Sequence, residues 1–198
     1  MNPSRPQLRD HFKQQRRAIA ADIRAGANAS ICAHLSRYIE SLDLDLDMDG
    51  KGVMVAAFMA TAEEVDLHQW RAAYLLQGGR IALPRINPGR TMTFHEYTAD
   101  TTLEPHRYGI LEPESSSGVV AAEALQVVLV PLVAFDRNGA RLGMGGGYYD
   151  RYLVGLANTA ITVGVAFACQ RSDEPLPTES WDMPMQAVVT ENGVLEFG

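Results

Sequence analysis

The run LQVVLVPLVAF, residues 125–135, constrains this chain more than any other stretch. A half-exposed strand would alternate apolar and polar residues, and this one does not, so it must be covered on both faces. The run GVMVAAFM, residues 52–59, carries the same mark. Doubly covered strands need helices on both sides of their sheet, and the chain supplies helical patterns between its apolar runs. The 198 residues, with 46% hydrophobic and 21% charged, are enough to bury such a core in a single domain over residues 1–198.

Apolar residues at about helical spacing (Leu8, Phe12, Ile19, Ile23) predict an amphipathic helix over 6–24. A break at 26–28 then separates a second helix carrying Ile31, Leu35, Tyr38 and Ile39. A third helix is expected over 66–77, ended by Gly78-Gly79, with RIALP as the next strand. The segment 87–117 is weaker: TMTFHEY alternates like a strand, and EPESSSG is a polar connector. After the dominant apolar run come the loop DRNGARLGMGGG, a helix over 148–156 and the strand AITVGVAF. Strands alternating with helices predict a three-layer α/β/α fold with a Rossmann-like, open, mostly parallel sheet.

Several functions are excluded or disfavoured. A net charge of −7 argues against nucleic-acid binding, which needs a basic face. Cys32 and Cys169 are too few for a disulfide framework or a zinc site. There is no apolar signal-like stretch near the start and no run of about 18 apolar residues, so a soluble, cytoplasmic protein without membrane contact is expected. The cations are almost all arginine, with Lys13 and Lys51 the only lysines; a GC-rich genome produces the same bias as selection for anion binding.

Most short motifs fail on inspection. Residues 45–50, DLDMDG, match the start of a calcium-binding loop, but Ala56 stands where its closing glutamate is required, so they read as an acidic linker. The glycine loop lacks the lysine of a Walker A sequence, and Tyr148 replaces the last glycine of a dinucleotide fingerprint. The five histidines have no metal-ligand spacing, and no nucleophile elbow is present. Nothing favours covalent catalysis by a side chain.

What remains is RLGMGGGYYDRYL, residues 141–153, with four glycines in five positions. Glycines let backbone N–H groups converge on an anion, Arg141 adds a fixed charge, and Asp150 in the first turn of the next helix can hold a divalent cation or cap the helix. Tyr148 and Tyr149 could stack on a flat ring or pack the helix on the sheet. Together these residues fit a magnesium–nucleotide site, and equally a glycine-rich turn before a helix.

The longer stretch PLVAFDRNGARLGMGGGYYDRYL, residues 131–153, resembles the hallmark of the 5-formyltetrahydrofolate cyclo-ligase (5,10-methenyltetrahydrofolate synthetase) family. Further similar pieces follow the family's order: LRDHFKQQRRAI, EEVDL, LPR, YGILEP and WDMPMQAVVTE. The resemblance implies a ligase that forms a C–N bond. It would use ATP and Mg²⁺ to convert 5-formyltetrahydrofolate to 5,10-methenyltetrahydrofolate, releasing ADP and phosphate. The formyl oxygen attacks the γ-phosphorus, N10 closes on the activated carbon, and phosphate leaves. No protein nucleophile is needed.

The resemblance also implies roles. Arg141 and Asp150 would carry the catalysis. Arg5, Arg9, Arg141, Leu142, Gly143, Met144, Gly145, Gly146, Gly147, Tyr148 and Tyr149 would bind ATP. Met59, Glu64, Tyr108 and Tyr148 would bind the folate, Glu64 accepting from the amide and amino edge of the pterin. Asp150 and Asp182 would face Mg²⁺. Segment 87–117, weakly periodic and adjoining Tyr108, is expected to order when folate binds. The expected state is monomer or weak homodimer.

Two departures stand out: Arg5 occupies the place of a lysine in many relatives, and Met144 and Gly146 stand where many carry a basic residue. A lysine point charge differs from an arginine fork, so an altered ATP affinity is expected. The alternative is a nucleotide- or folate-binding regulatory protein without turnover.

Overall fold

Strand residues alternate between two helical layers. The computed structural model describes residues 3–44, 52–106, 109–156 and 159–197. Helices α1 (Arg5–Arg17) and α2 (Ala21–Ser41) precede strand β1 (Met54–Ala56), helix α3 (His68–Leu76) and strands β2 (Arg80–Asn87) and β3 (Thr91–Tyr97). Short strands β4 (Leu103–Pro105), β5 (Leu111–Pro113) and β6 (Val119–Val120) lead to β7 (Val127–Pro131). A small ribbon, β8 (Ala134–Phe135) with β9 (Arg141–Leu142), precedes helix α4 (Tyr148–Leu156), and β10 (Ile161–Val165), β11 (Ala187–Thr190) and β12 (Gly193–Glu196) complete the order.

The main sheet runs β12-β11-β10-β7-β1-β2-β3-β6. Its five central strands, β11, β10, β7, β1 and β2, pair in parallel, and antiparallel strands close both edges. Odd-numbered strand residues such as Val55, Ile81, Leu83, Val127, Leu129 and Val163 pack under α2 and α3 with Ile31, Leu35 and Trp70. Even-numbered ones such as Met54, Ala56, Ala82, Val128 and Val130 pack under α4 with Leu153 and Leu156. Successive side chains of a strand point to opposite faces, so continuous apolar runs yield two cores and the expected α/β/α layering. Among the described residues no helix is long and apolar enough to cross a membrane.

The first helices differ from the sequence expectation. The pattern over 6–24 is broken after Arg17, while α2 runs through Gly26 without interruption. Helix α1 packs Phe12 against Val133, Ala134, Leu142 and Leu176 at the end of the sheet, whereas Ile19 and α2 pack over its face. One straight rod cannot serve both surfaces. Gly26 costs the helix about 1 kcal/mol, well within what the buried stripe of Ala27, Ile31, Leu35 and Tyr38 offsets. The third helix ends as expected: Gly78, at φ 87°, and Gly79 donate back to the Leu75 and Tyr74 carbonyls. The acidic stretch 45–50 lies outside the described residues.

The topology marks one place for a ligand. From β1 the chain moves to β2 on one side, then returns to β7 on the other. Strand order therefore reverses between β1 and β7, and in open α/β sheets ligands bind beyond the carboxyl ends of strands at such a point. The loop after β1 carries Met59 and Glu64, and the ribbon after β7 carries the glycine loop.

Candidate active site

The glycine loop, residues 143–147, joins β9 to the N-terminus of α4. Gly145 and Gly147 have φ of 98° and 66°, which only glycine adopts without strain. Two loop carbonyls are taken by arginines: Gly143 accepts from Arg9 Nε at 2.8 Å, and Gly146 from Arg151 Nη2 at 2.6 Å. The backbone N–H groups of Met144, Gly145, Gly146 and Gly147 have no hydrogen-bond partner among the described residues. Turning carbonyls toward cations and leaving donors unpaired above a helix N-terminus produces a concave surface that favours an anion.

Cations and carboxylates alternate around this loop. Arg141 is almost fully buried and donates from Nη2 to Asp150 Oδ1 at 2.5 Å. Burial pushes its guanidinium below its ordinary value, opposed by the charges of Asp150 and Asp182, and it remains protonated at physiological pH. Arg5 grips Asp182 with both terminal nitrogens, at 2.8 and 3.2 Å, in the bidentate geometry that favours such pairs. Asp182 Oδ2 also accepts the Glu179 N–H at 2.9 Å. Burial alone would raise the Asp182 carboxyl, but the Arg5 and Glu179 hydrogen bonds and the charges of Arg5 and Arg141 hold it below its ordinary value. Arg9 is lowered by burial and by Arg5, with Asp182 and Asp150 acting the other way.

The loop after β1 approaches from the opposite side. Glu64 Oε2 accepts the Thr61 N–H at 2.9 Å, and Glu64 N–H donates to the Thr61 carbonyl at 3.0 Å, which makes residues 61–64 a tight turn. Tyr149, in the first turn of α4, is close enough to feel the Glu64 charge, and its hydroxyl is buried without a partner among the described residues. Burial and Glu64 together push that phenol well above its ordinary value. Met59 is half-buried against the α2 side of the core.

Residues from five parts of the chain thus meet: Arg5 and Arg9 on α1, Glu64 after β1, Arg141 on β9, Tyr149 and Asp150 on α4, and Asp182. Leu142 is fully buried beside Phe12, so only its backbone can face a nucleotide. Met144 is exposed at the rim, and Tyr148 lies half-buried with the Arg151 guanidinium 5.8 Å from its ring centroid. Tyr108 lies outside the described residues.

The magnesium ion that the resemblance implies can be tested against the donor set. Among the described residues no group of three His, Cys, Asp or Glu side chains could hold a metal. Magnesium needs less, because it keeps several waters and takes one or two carboxylates alongside substrate phosphates. Asp150 fits: its Oδ2 has no hydrogen-bond partner among the described residues, and its side chain is 21% exposed. Both Asp182 oxygens are engaged, so direct ligation by Asp182 requires release of Arg5.

Sequence reasoning missed the residues that hold the two loops. Arg16, Arg17 and Arg24 all bond Glu63, Arg71 donates to the Phe58 carbonyl at 2.9 Å just after β1, and Arg151 ties Gly146 to the Arg90 carbonyl. The only sequence signal was the doublet Arg16-Arg17 and the doublet Glu63-Glu64, and either alone reads as solvated charge.

Comparison with known proteins gives the family and the fold. Residues 1–191 match the 5-formyltetrahydrofolate cyclo-ligase family. The 5-formyltetrahydrofolate cyclo-ligase of Haemophilus influenzae is 32% identical over 185 residues, covering 91% of this chain and 94% of that one. The Escherichia coli K12 protein of the same name is 39% identical over 152 residues, 72% of this chain and 80% of its own. The solution structure of Aquifex aeolicus 5,10-methenyltetrahydrofolate synthetase superposes with a TM-score of 0.78 at 28% identity, covering 97% of this chain and 92% of that one.

Proposed function

We propose that this chain, which belongs to the 5-formyltetrahydrofolate cyclo-ligase family, converts 5-formyltetrahydrofolate to 5,10-methenyltetrahydrofolate at the expense of ATP. The observation that carries the reading is the meeting, at the switch point between β1 and β7, of a carboxylate corner at Glu64 with an anion-binding loop at residues 143–147.

An amide oxygen is a weak nucleophile and a poor leaving group. Transfer of the γ-phosphoryl group to the formyl oxygen, with departure of ADP, makes the carbon electrophilic. N10 then forms the new C–N bond, the carbon–oxygen bond to phosphate breaks, and the N10 proton is released. The protein's part is to hold two molecules in line and to neutralise charge on the transferring group.

The residues divide that work. The N–H groups of residues 143–147 and the start of α4 face the triphosphate, with Arg5, Arg9 and Arg141 as fixed charges around it. Glu64 accepts from the pterin edge through the oxygen that Thr61 leaves free, and Tyr149 and Tyr148 flank the ring. Asp150 holds a magnesium ion, and Asp182 acts as its acidic partner through Arg5. The ion, when bound, supplies positive charge against the phosphate oxygens.

The test is absorbance at the methenyl-folate band when the protein meets 5-formyltetrahydrofolate, ATP and Mg²⁺. A rise that requires all three and is lost in Asp150→Ala is expected. A flat trace from folded protein that binds ATP would favour the regulatory alternative, for which the lack of basic side chains at Met144 and Gly146 is the one supporting observation.

A further inference from the structure

Glu63 and Glu64 are neighbours in the turn after β1, yet their carboxylates turn to different partners. Glu64 folds back on Thr61 and sits within electrostatic reach of Tyr149. Glu63 is bound by three arginines from the N-terminal helices. Its Oε2 accepts from Arg16 Nη2 at 3.2 Å, its Oε1 from Arg17 Nε at 2.5 Å, and its carbonyl from Arg24 Nη1 at 3.1 Å. Arg24 also donates to the Arg16 carbonyl and lies 5.0 Å from the centre of the Phe167 ring.

Arg16 is the centre of this arrangement. It is only 1% exposed, and its Nη1 reaches the Leu132 carbonyl at 3.5 Å, just past β7. One buried guanidinium therefore touches the segments that follow both strands flanking the switch point. Helix α1, which carries Arg16 and Arg17 at one end, carries Arg5 and Arg9 at the other. Its 13 residues, rising about 1.5 Å each, separate those ends by roughly 18 Å. Arg9 is fixed to the glycine loop and Arg5 to Asp182. The helix is thus fastened to the nucleotide side at its start and to the Glu63 corner at its end.

We propose that Glu63 is a positioning residue for Glu64: its ion pairs with Arg16 and Arg17 fix residues 61–64 relative to the glycine loop, so that α1 registers the folate carboxylate against the phosphates. The inference rests on the cyclo-ligase reading. In-line transfer between two bound molecules is sensitive to displacements of about 1 Å, and within the turn 61–64 the Glu63 carboxylate is the side chain held by ion pairs, while Arg24 and Arg71 reach only main-chain carbonyls of this loop. The competing role is that Glu63 only fastens α1 to the sheet, in which case its loss lowers stability without touching folate kinetics.

The experiment compares the unaltered chain, Glu63→Asp and Arg17→Gln. Glu63→Asp keeps the counter-charge that buried Arg16 needs but shortens the side chain by one methylene. Arg17 has a side chain 62% exposed, so its loss spares the core. Expected for Glu63→Asp is a rise of about tenfold in KM for 5-formyltetrahydrofolate, with KM for ATP unchanged and Tm within a few degrees. Arg17→Gln raises the same constant by roughly threefold, the loss of one exposed charge-assisted bond. A fall in Tm with folate KM unchanged in both variants would overturn the assignment and leave the cyclo-ligase reading standing. If Glu63→Asp fails to fold, the folate KM of Arg17→Gln decides alone. If the unaltered chain forms no methenyl product, the reading falls and this inference with it.

Discussion

The glycine loop and the corner at residues 61–64 face one another across the switch point, and they are held in place by different physical means. The loop owes its shape to backbone conformation: Gly145 and Gly147 take angles closed to other residues, and arginines grip its carbonyls. The corner owes its placement to side chains, with Glu63 pinned by Arg16, Arg17 and Arg24. A loop that wraps an anion must present donors, so its acceptors have to be occupied elsewhere. A corner that offers a carboxylate must stop that carboxylate from being neutralised by a cation, and here Arg16 and Arg17 pair with the Glu63 carboxylate while Arg24 takes the Glu63 carbonyl. Glu64 itself has no arginine partner among the described residues.

The largest effect should come from Asp150→Ala, which strips buried Arg141 of its ion-pair partner. Loss of methenyl product and a destabilisation of about 3 kcal/mol by chemical denaturation are expected. Full activity would remove both the metal role and the ion pair from the account. Gly145→Ala attacks the loop alone: forcing a side chain to φ near 98° should cut kcat/KM for ATP by about a hundredfold while leaving the KM for folate intact. An equal loss on the folate side would mean that the two regions are not separable as argued.

Arg5→Ala is next, with KM for ATP rising about tenfold as one bidentate cation leaves the phosphate side. An unchanged constant would show that Arg5 serves Asp182 only. The pH dependence sharpens the other region. The Arg17 hydrogen bond, then that of Arg16, hold the Glu63 carboxyl below its ordinary value against the burial that would raise it. Stability from a depressed carboxyl is present above the unfolded pKa and lost as pH falls through the folded one. The stability gap between the unaltered chain and Glu63→Gln should be constant above roughly pH 5 and narrow below the ordinary glutamate value of about 4.3. A gap independent of pH, followed by denaturation from pH 7 to 3, would take the ion pairs out of the comparison. The smallest expected change is optical. Trp181 is 61% exposed beside Asp182, whereas Trp70 is buried, so Trp70→Phe leaves a single reporter at the nucleotide side. Its emission should shift by a few per cent with ATP and not with folate alone; the reverse pattern would exchange the two sides.

The two regions also differ in how far they could be read in advance. The spacing of Gly143, Gly145, Gly146 and Gly147 before Tyr148 announced both a special backbone and a helix start, and the structure has positive φ at Gly145 and Gly147 and α4 at Tyr148–Leu156. The apolar runs announced doubly covered strands, and β1 and β7 are fully buried within them but for Pro131. The break after Arg17 was not legible, because the periodicity of α1 continues past it and only the surfaces under Phe12 and Ile19 require the turn. Nor was the role of Glu63, or of Arg16 on the buried side of an otherwise charged helix.

Local sequence dictates which segments form strands and helices and where the backbone is free to turn. Periodicity and glycine conformation are properties of consecutive residues, so they are written locally. Which arginine meets which acceptor is settled by the packing of distant segments. Arg16 finds Glu63 across 47 positions, Arg9 finds Gly143 across 134, and Arg5 finds Asp182 across 177. A guanidinium on a long flexible stem carries no local mark of its partner, and in water any carboxylate serves about equally well. It is the packing of α1 across the end of the sheet that brings the pairs together and excludes the alternatives.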